Sequence, residues 1–131
     1  MLHQPEARNA TPEECAAFGV EVCPVNWAVE YQGQVAAIFR AEPEADGWLY
    51  VHADVKRHVL HPQVVYHFAR IFSDRLLELG AVDLVAEIPV NNRAAVWVAK
   101  RAGFRVEHVN EEFTLLVKEH GRQAETSEPS V

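Results

Sequence analysis

The stretch of sequence that decides the fold is residues 62–104, PQVVYHFARIFSDRLLELGAVDLVAEIPVNNRAAVWVAKRAGF. Apolar side chains recur every three or four positions in its first part, which predicts an amphipathic helix over 62–80. Residues 82–88 then alternate between apolar and polar types, as a strand does, and Asn92 can cap a second helix over 93–102. A helix, a strand and a helix in this order indicate a sheet with helices packed on it.

The segments on either side extend this pattern. Thr11, Pro12 and Glu14 form a capping box with proline at the first helical position, which predicts a short helix. Residues 27–31 and 35–40 predict a hairpin, 48–55 predict a third strand, and 104–109 and 113–118 predict two more. The fold class is therefore α+β (or α/β), a mixed sheet flanked by helices.

The organisation along the chain is that of one domain. No internal repeat or low-complexity linker interrupts residues 1–118, so we expect a single domain there. Residues 1–10 are expected to be loose, and residues 119–131 form a polar stretch that we interpret as a solvated C-terminal tail.

Composition excludes several classes of function. The 131 residues carry a formal net charge of −7, which argues against broad electrostatic binding to nucleic acid or anionic lipid. No apolar run approaches the roughly 20 residues that a membrane helix needs. The start of the sequence lacks the pattern of a secretory signal, and two cysteines make no disulfide framework, so a cytoplasmic protein is expected.

Residues 92–104 resemble the late motif of the GNAT superfamily, the GCN5-related N-acetyltransferases. The motif has an asparagine, an alanine three residues on and a Gly-Phe pair at the end of the helix, here Asn92, Ala95, Gly103 and Phe104. The helix and strand over 63–88 have the lengths and order of that family. The resemblance implies a mixed, mostly antiparallel twisted sheet that splays between strands 48–55 and 82–88. It also implies transfer of an acetyl group from acetyl-CoA, held in that cleft, to a primary amine.

The resemblance also indicates which residues to consider for the site. His52, Asp54 and Glu87 are candidate general bases that would take a proton from the amine; otherwise they are polar residues of half-exposed strands. The implied cofactor-binding residues are spread over the strand end, the following loop, and both helices. They are Val55, Arg57, Gln63, Val64, Val65, Asn92 and Arg101.

Two functional signatures of the family are missing. The pyrophosphate loop normally has small residues where residues 60–65 read LHPQVV, so Val65 puts a branched side chain where phosphate would approach the backbone. Pro62 also removes one N–H donor. Ala99 stands where the family often has a tyrosine that protonates the departing thiolate. These losses indicate a degenerate site.

Two alternatives to the enzyme therefore stay open. One is an inactive GNAT-like structural or binding module, similar to small bacteriophage-encoded proteins of virion or accessory type, which would make it virion-associated. The other is a regulatory domain that senses CoA or another nucleotide without turnover. The expected partners are a small amine or peptide amine, with no nucleic acid and no membrane. The apolar strands permit a homodimer or larger assembly. Four histidines within 52–67 lack a convergent ligand set, so no metal site is predicted.

Overall fold

The computed structural model describes residues 4–56, 58–81 and 83–119 of the chain. The helices are α1 (Pro12–Phe18), α2 (Pro62–Glu78) and α3 (Arg93–Arg101). The strands are β1 (Glu6–Asn9), β2 (Val25–Tyr31), β3 (Gln34–Pro43), β4 (Leu49–Val55), β5 (Asp83–Pro89), β6 (Arg105–Val109) and β7 (Phe113–Glu119). None of the described helices has the length and apolar character needed to cross a membrane.

The strands form a seven-stranded sheet in the order β1-β2-β3-β4-β5-β7-β6. Every neighbouring pair is antiparallel except β4 and β5, which are parallel and pair only at Leu49–Leu84 and Tyr50–Val85. Beyond Tyr50 the two strands diverge. The prediction of a mixed, mostly antiparallel sheet with flanking helices, splayed between residues 48–55 and 82–88, is therefore confirmed.

Helix α2 packs on one face of the sheet through its apolar stripe. The Phe72 ring lies 5.3 Å from the Trp27 ring of β2 and 5.7 Å from the Phe39 ring of β3, between ring centroids. Leu76 and Leu77 of the same helix are buried in the core with Leu84 and Leu116 of the second half of the sheet. Helix α2 therefore contacts the strands on both sides of the splay.

The ends of the helices follow the capping signals of the sequence. The Thr11 hydroxyl accepts a hydrogen bond from the Glu14 N–H, and the Glu14 carboxylate accepts one from the Thr11 N–H, which confirms the capping box. The Asn92 side chain accepts from the Ala95 N–H at the start of α3. Gly19 ends α1 with φ of 77°, a left-handed conformation that glycine adopts without steric cost.

One expectation about the ends of the chain differs from the structure. Residues 1–10 were expected to be loose, but Glu6–Asn9 form β1 and pair with β2. The sequence signal is weak because β1 is a short edge strand with only Ala7 partly buried toward the core. Val82, Arg57 and residues 120–131, which include nearly all of the expected tail, lie outside the described residues.

Candidate functional site

A cleft of about 1340 Å³ opens where β4 and β5 part. Its walls come from β3 and β4, the loop before α2, much of α2 and α3, and the end of β5. Because the parallel pairing stops at Tyr50–Val85, the backbone of 51–55 has no strand partner on its β5 side among the described residues. The splay thus produces both the cavity and an unpaired strand edge beside it.

The three candidate bases all line this cleft: His52, Asp54 and Glu87. Phe39 packs against α2 and is the partner of Ala53 in the β3–β4 ladder. Since successive residues of a strand point to opposite faces, His52 and Asp54 lie on the face away from α2. The cleft therefore reaches from the helix-covered face of the sheet to the opposite face.

Asp54 forms an ion pair with a buried arginine that sequence reasoning did not single out. Arg40 Nη2 lies 3.2 Å from Asp54 Oδ2, and Arg40 Nη1 donates to the Glu21 carbonyl at 2.9 Å. The Arg40 side chain is only 12 % exposed. Its Nη1 also lies 3.7 Å from Cys23 Sγ, and burial raises the pKa of that thiol. Arg40 thus connects Asp54 to the segment between α1 and β2.

His52 has a carboxylate partner of its own. Its Nε2 lies 3.0 Å from Glu42 Oε1 on β3. Tyr50, two residues before His52 on the same face, donates its hydroxyl to Asp46 at 3.0 Å. Burial raises the pKa of Tyr50, and the hydrogen bond to Asp46 raises it further. This face of the sheet therefore carries several carboxylate groups beside the cleft.

Four of the expected cofactor-binding residues line the cleft: Val55, Gln63, Val65 and Asn92. Val64 and Arg101 are not among its lining residues. Val64 packs against the core, whereas the Arg101 guanidinium lies 5.0 Å from the ring centroid of Trp97, which does line the cleft. The remaining candidate, Arg57, lies outside the described residues.

The backbone N–H groups at the N-terminus of α2 form hydrogen bonds within the chain. His61 Nδ1 accepts from the Gln63 N–H at 3.1 Å, and the His61 carbonyl accepts from the N–H groups of Val64 and Val65 at 2.8 and 3.1 Å. Pro62 has no N–H to offer. The helix dipole still favours an anion at this end, but the backbone donors of the first turn are already bonded within the chain.

The motif identified one position at the site, Ala99, whereas two charged residues could not be identified from composition or motif. Ala99 is buried and lines the cleft, so the position where the family often carries a tyrosine contributes no hydroxyl here. Glu42 and Arg40 were missed because each reads as an ordinary polar residue of β3. The register of the β3–β4 hairpin, which pairs Arg40 with His52 and Glu42 with Tyr50, is the signal that brings them to the site.

Other kinds of site find no support in the described ranges. Over 4–56, 58–81 and 83–119, no three His, Cys, Asp or Glu side chains come together in a way that could hold a metal ion. Cys15 and Cys23 are both buried and unpaired with each other. The splayed cleft is therefore the feature on which we base a function.

The comparisons with known proteins give a structural answer only. No protein-family model matches the sequence, and a comparison with curated proteins finds no significant match. Solved structures do match. The structure of AAC(6')-Ib in complex with parmomycin and acetyl-CoA superposes with a TM-score of 0.74 at 10 % identity, covering 98 % of this chain and 100 % of that one.

Two further structures agree with it. The structure of yncA from Salmonella typhimurium with its cofactor acetyl-CoA matches with a TM-score of 0.73 and 13 % identity, over 92 % of this chain and 96 % of that one. An acetyltransferase of GNAT family from Streptococcus pneumoniae matches with a TM-score of 0.71 and 14 % identity, over 90 % and 100 %. This chain therefore has the GNAT fold.

Proposed function

We propose that this protein is an acyl-CoA-dependent N-acetyltransferase, which transfers an acetyl group from acetyl-CoA to a primary amine. The observation that carries the proposal is the cleft between β4 and β5, which reaches both faces of the sheet. A thioester that enters from the helix side and an amine that enters from the opposite side would meet beside β4. Holding two reactants together in this way is a large part of the catalysis of a bimolecular transfer.

The cleft offers more to the pantetheine arm of the cofactor than to its phosphates. The unpaired edge of β4 near Val55 can offer backbone groups to the amide-containing pantetheine arm, as a neighbouring strand would. Gln63 and Asn92 lie at the rim, where their side chains can reach the phosphates. Because the first-turn N–H groups of α2 are bonded to His61, we expect weaker phosphate binding than a glycine-rich loop would give.

The acceptor side suits a cationic amine. Glu42, Asp54 and Glu87 lie on the face of the sheet opposite α2, together with the candidate base His52. Carboxylates at this mouth attract an ammonium group and lower the free energy of its approach. AAC(6')-Ib, one of the proteins with the same fold, is described as an aminoglycoside acetyltransferase, which has an amine-bearing acceptor. For this chain we infer only that the acceptor carries an amine.

The transfer balances without a tyrosine at position 99. Acetyl-CoA supplies an activated acyl group as its thioester. A side chain of the acceptor face takes one proton from the ammonium, and the amine nitrogen then forms a bond to the carbonyl carbon as the C–S bond breaks. The second proton lost by the nitrogen ends on the sulfur, directly or through water, since Ala99 has none to give.

A second candidate function is a GNAT-fold module that binds a ligand or a partner without catalysis. Two observations favour it: the internal bonding of the α2 N-terminus by His61, and the alanine at position 99. In this case the chain keeps the fold as a scaffold but not the activity, because one fold can serve many unrelated functions.

Calorimetry with acetyl-CoA and with CoA tests the proposed function first. We expect saturable binding that Ala94→Trp weakens at least tenfold, because Ala94 is exposed and lines the cleft. Val22→Trp is the matched control, since Val22 is exposed and is not a lining residue. Absence of binding at millimolar ligand overturns the proposal.

Turnover separates the two candidates. The purified protein is given acetyl-CoA and a panel of primary amines, and release of free thiol is followed with time. Thiol release that depends on the amine supports the acetyltransferase. Binding of acetyl-CoA with no transfer to any amine of the panel favours the non-catalytic module instead.

A further inference from the structure

The hydrogen bond between His52 and Glu42 joins an imidazole that lines the cleft to a carboxylate of the neighbouring strand. Glu42 is the diagonal neighbour of His52 across the β3–β4 ladder, because Arg40 is the partner of His52 and Glu42 is the partner of Tyr50. Its Oε1 lies 3.0 Å from His52 Nε2. His52 lines the cleft and Glu42 does not, so the imidazole is the member of the pair that borders the cavity.

The hydrogen bond determines which ring nitrogen can accept a proton. An ionised carboxylate is only an acceptor, so His52 Nε2 must carry the hydrogen that bonds Glu42. A neutral imidazole has one N–H, and the other nitrogen, Nδ1, is then the basic one. The same pairing of a carboxylate with a histidine orients the general base of many enzymes that activate a nucleophile.

We propose that Glu42 is a positioning residue that holds His52 in its Nε2-protonated form, so that His52 Nδ1 receives the proton of the acceptor ammonium. This inference rests on the proposed acetyl transfer. In the step, one N–H bond of the ammonium breaks and its proton moves to Nδ1, which leaves the nitrogen lone pair to attack the thioester carbonyl. The resulting imidazolium is stabilised by Glu42 and later loses its proton to water.

The other two candidate bases are less well arranged for this role. Asp54 already binds Arg40, whose guanidinium lies 3.2 Å from its Oδ2, so part of its acceptor capacity is in use. Glu87 is exposed, and within the described residues no hydrogen bond or ion pair orients it. Among the described residues, the charged and titratable groups on the same face of the sheet as His52 include Glu42 and Arg40 on β3, Tyr50 and Asp54 on β4, and Glu87 on β5, while Lys56, His58 and His61 line the same cleft.

The tautomer of His52 tests the proposal without any reaction. Nitrogen-15 NMR of the full-length protein with labelled histidine distinguishes a protonated from an unprotonated ring nitrogen, and His52→Gln identifies the signals. We expect wild-type His52 with hydrogen on Nε2 in its neutral form, and a mixture of both tautomers in Glu42→Leu. A wild-type His52 with its hydrogen on Nδ1 overturns the inference, whether or not the protein is active.

Kinetics then test the catalytic consequence. We expect Glu42→Leu to lower kcat at least tenfold with little change in the KM for acetyl-CoA, while Glu42→Gln, whose amide oxygen can still accept from Nε2–H, regains part of it. Glu44→Leu is the control, an exposed glutamate two residues further along. Equal kcat in Glu42→Leu and wild type overturns the inference and leaves the proposed function standing. A wild-type protein with no transfer removes the proposed function itself.

Discussion

Lys118 shows, at the scale of one residue, how a charge is accommodated in this core. The side chain is 1 % exposed, and its ammonium donates to Ser73 Oγ at 2.8 Å, Asp74 Oδ1 at 2.7 Å and the Ala102 carbonyl at 2.8 Å. All three N–H donors of the ammonium are therefore bonded. Burial lowers the pKa of Lys118, and the hydrogen bond that Lys118 donates to Asp74 opposes this shift.

We expect Lys118→Met to lower the free energy of unfolding by about 2–4 kcal/mol, because it leaves the Ala102 carbonyl and Ser73 hydroxyl buried without their donor. Urea denaturation followed by circular dichroism measures the change. Lys100→Met, on the exposed side of α3, is the control and should cost less than about 0.5 kcal/mol. Equal stability of the two variants would contradict this account of Lys118.

The residues around Lys118 also explain a glycine of the family-like motif. Gly103 has φ of 107°, and a Cβ built there would lie 3.1 Å from Lys118 Cε. The sequence predicted a glycine-terminated helix at this position, and that prediction is confirmed by α3, which ends at Arg101 with Ala102 as its C-cap. The contact with Lys118 could not be predicted, because the two residues meet only when β7 packs beside the end of α3.

At the scale of elements, an arginine on β1 joins the edge strand to α1. Arg8 Nη2 lies 2.7 Å from Glu14 Oε2, and Arg8 Nε lies 3.1 Å from Glu30 Oε1 on β2. The hydrogen bond from Arg8, followed by that from the Thr11 N–H, lowers the pKa of Glu14 from 4.5 to about 2. The Glu14 carboxylate thus serves both the helix cap and the contact between elements.

We expect the Glu14 carboxylate to make the free energy of unfolding depend on pH in the acid range. Since its pKa is lower in the folded than in the unfolded chain, its contribution is complete above pH 4.5 and is lost as pH falls toward about 2. Glu14→Gln keeps the cap acceptor but does not titrate, so its unfolding free energy should fall less than that of wild type over this range. Chemical denaturation at several pH values measures both.

The neighbouring residue provides the control for that experiment. Glu13 is also in the first turn of α1 but makes no hydrogen bond to Arg8. Glu13→Gln should therefore keep the acid dependence of wild type. If Glu14→Gln loses stability between about pH 5 and pH 2 as steeply as Glu13→Gln does, the ion pair with Arg8 does not stabilise the folded chain.

At the scale of the whole molecule, α2 holds together the two halves of the splayed sheet. Phe72 packs on Trp27 and Phe39 of the first half, while the next two residues, Ser73 and Asp74, bind Lys118 of β7 in the second half. The strands themselves join the halves at only two residue pairs of β4 and β5. The cleft can stay open because the helix, and not the sheet, supplies much of the connection.

We therefore expect Phe72→Ala to cost about 3–5 kcal/mol of unfolding free energy, the range for removal of a buried aromatic ring. Ile71→Ala, the neighbouring residue on the exposed side of α2, is the control and should cost far less. Both are measured by urea denaturation. Equal costs would show that contacts of α2 with the first half of the sheet contribute little to stability.

The sequence by itself determined the fold class and every element except β1. The helical spacing of 62–80, the alternation of 48–55 and the caps at Thr11 and Asn92 are local patterns, and local patterns can be read along one chain. The resemblance to the GNAT family indicated His52, Asp54 and Glu87 as candidates, and all three line the cleft. Their roles in catalysis stay predictions.

Only the tertiary structure decided which side chains meet. Glu42 beside His52, Arg40 beside Asp54 and Ser73 beside Lys118 are separated by 10 to 45 residues in the sequence. Strand register and helix packing bring them together, and a shift of one residue in a strand would send its side chains to the opposite face of the sheet. Periodicity gives a residue's own face, but the identity of its neighbour depends on how distant segments pack.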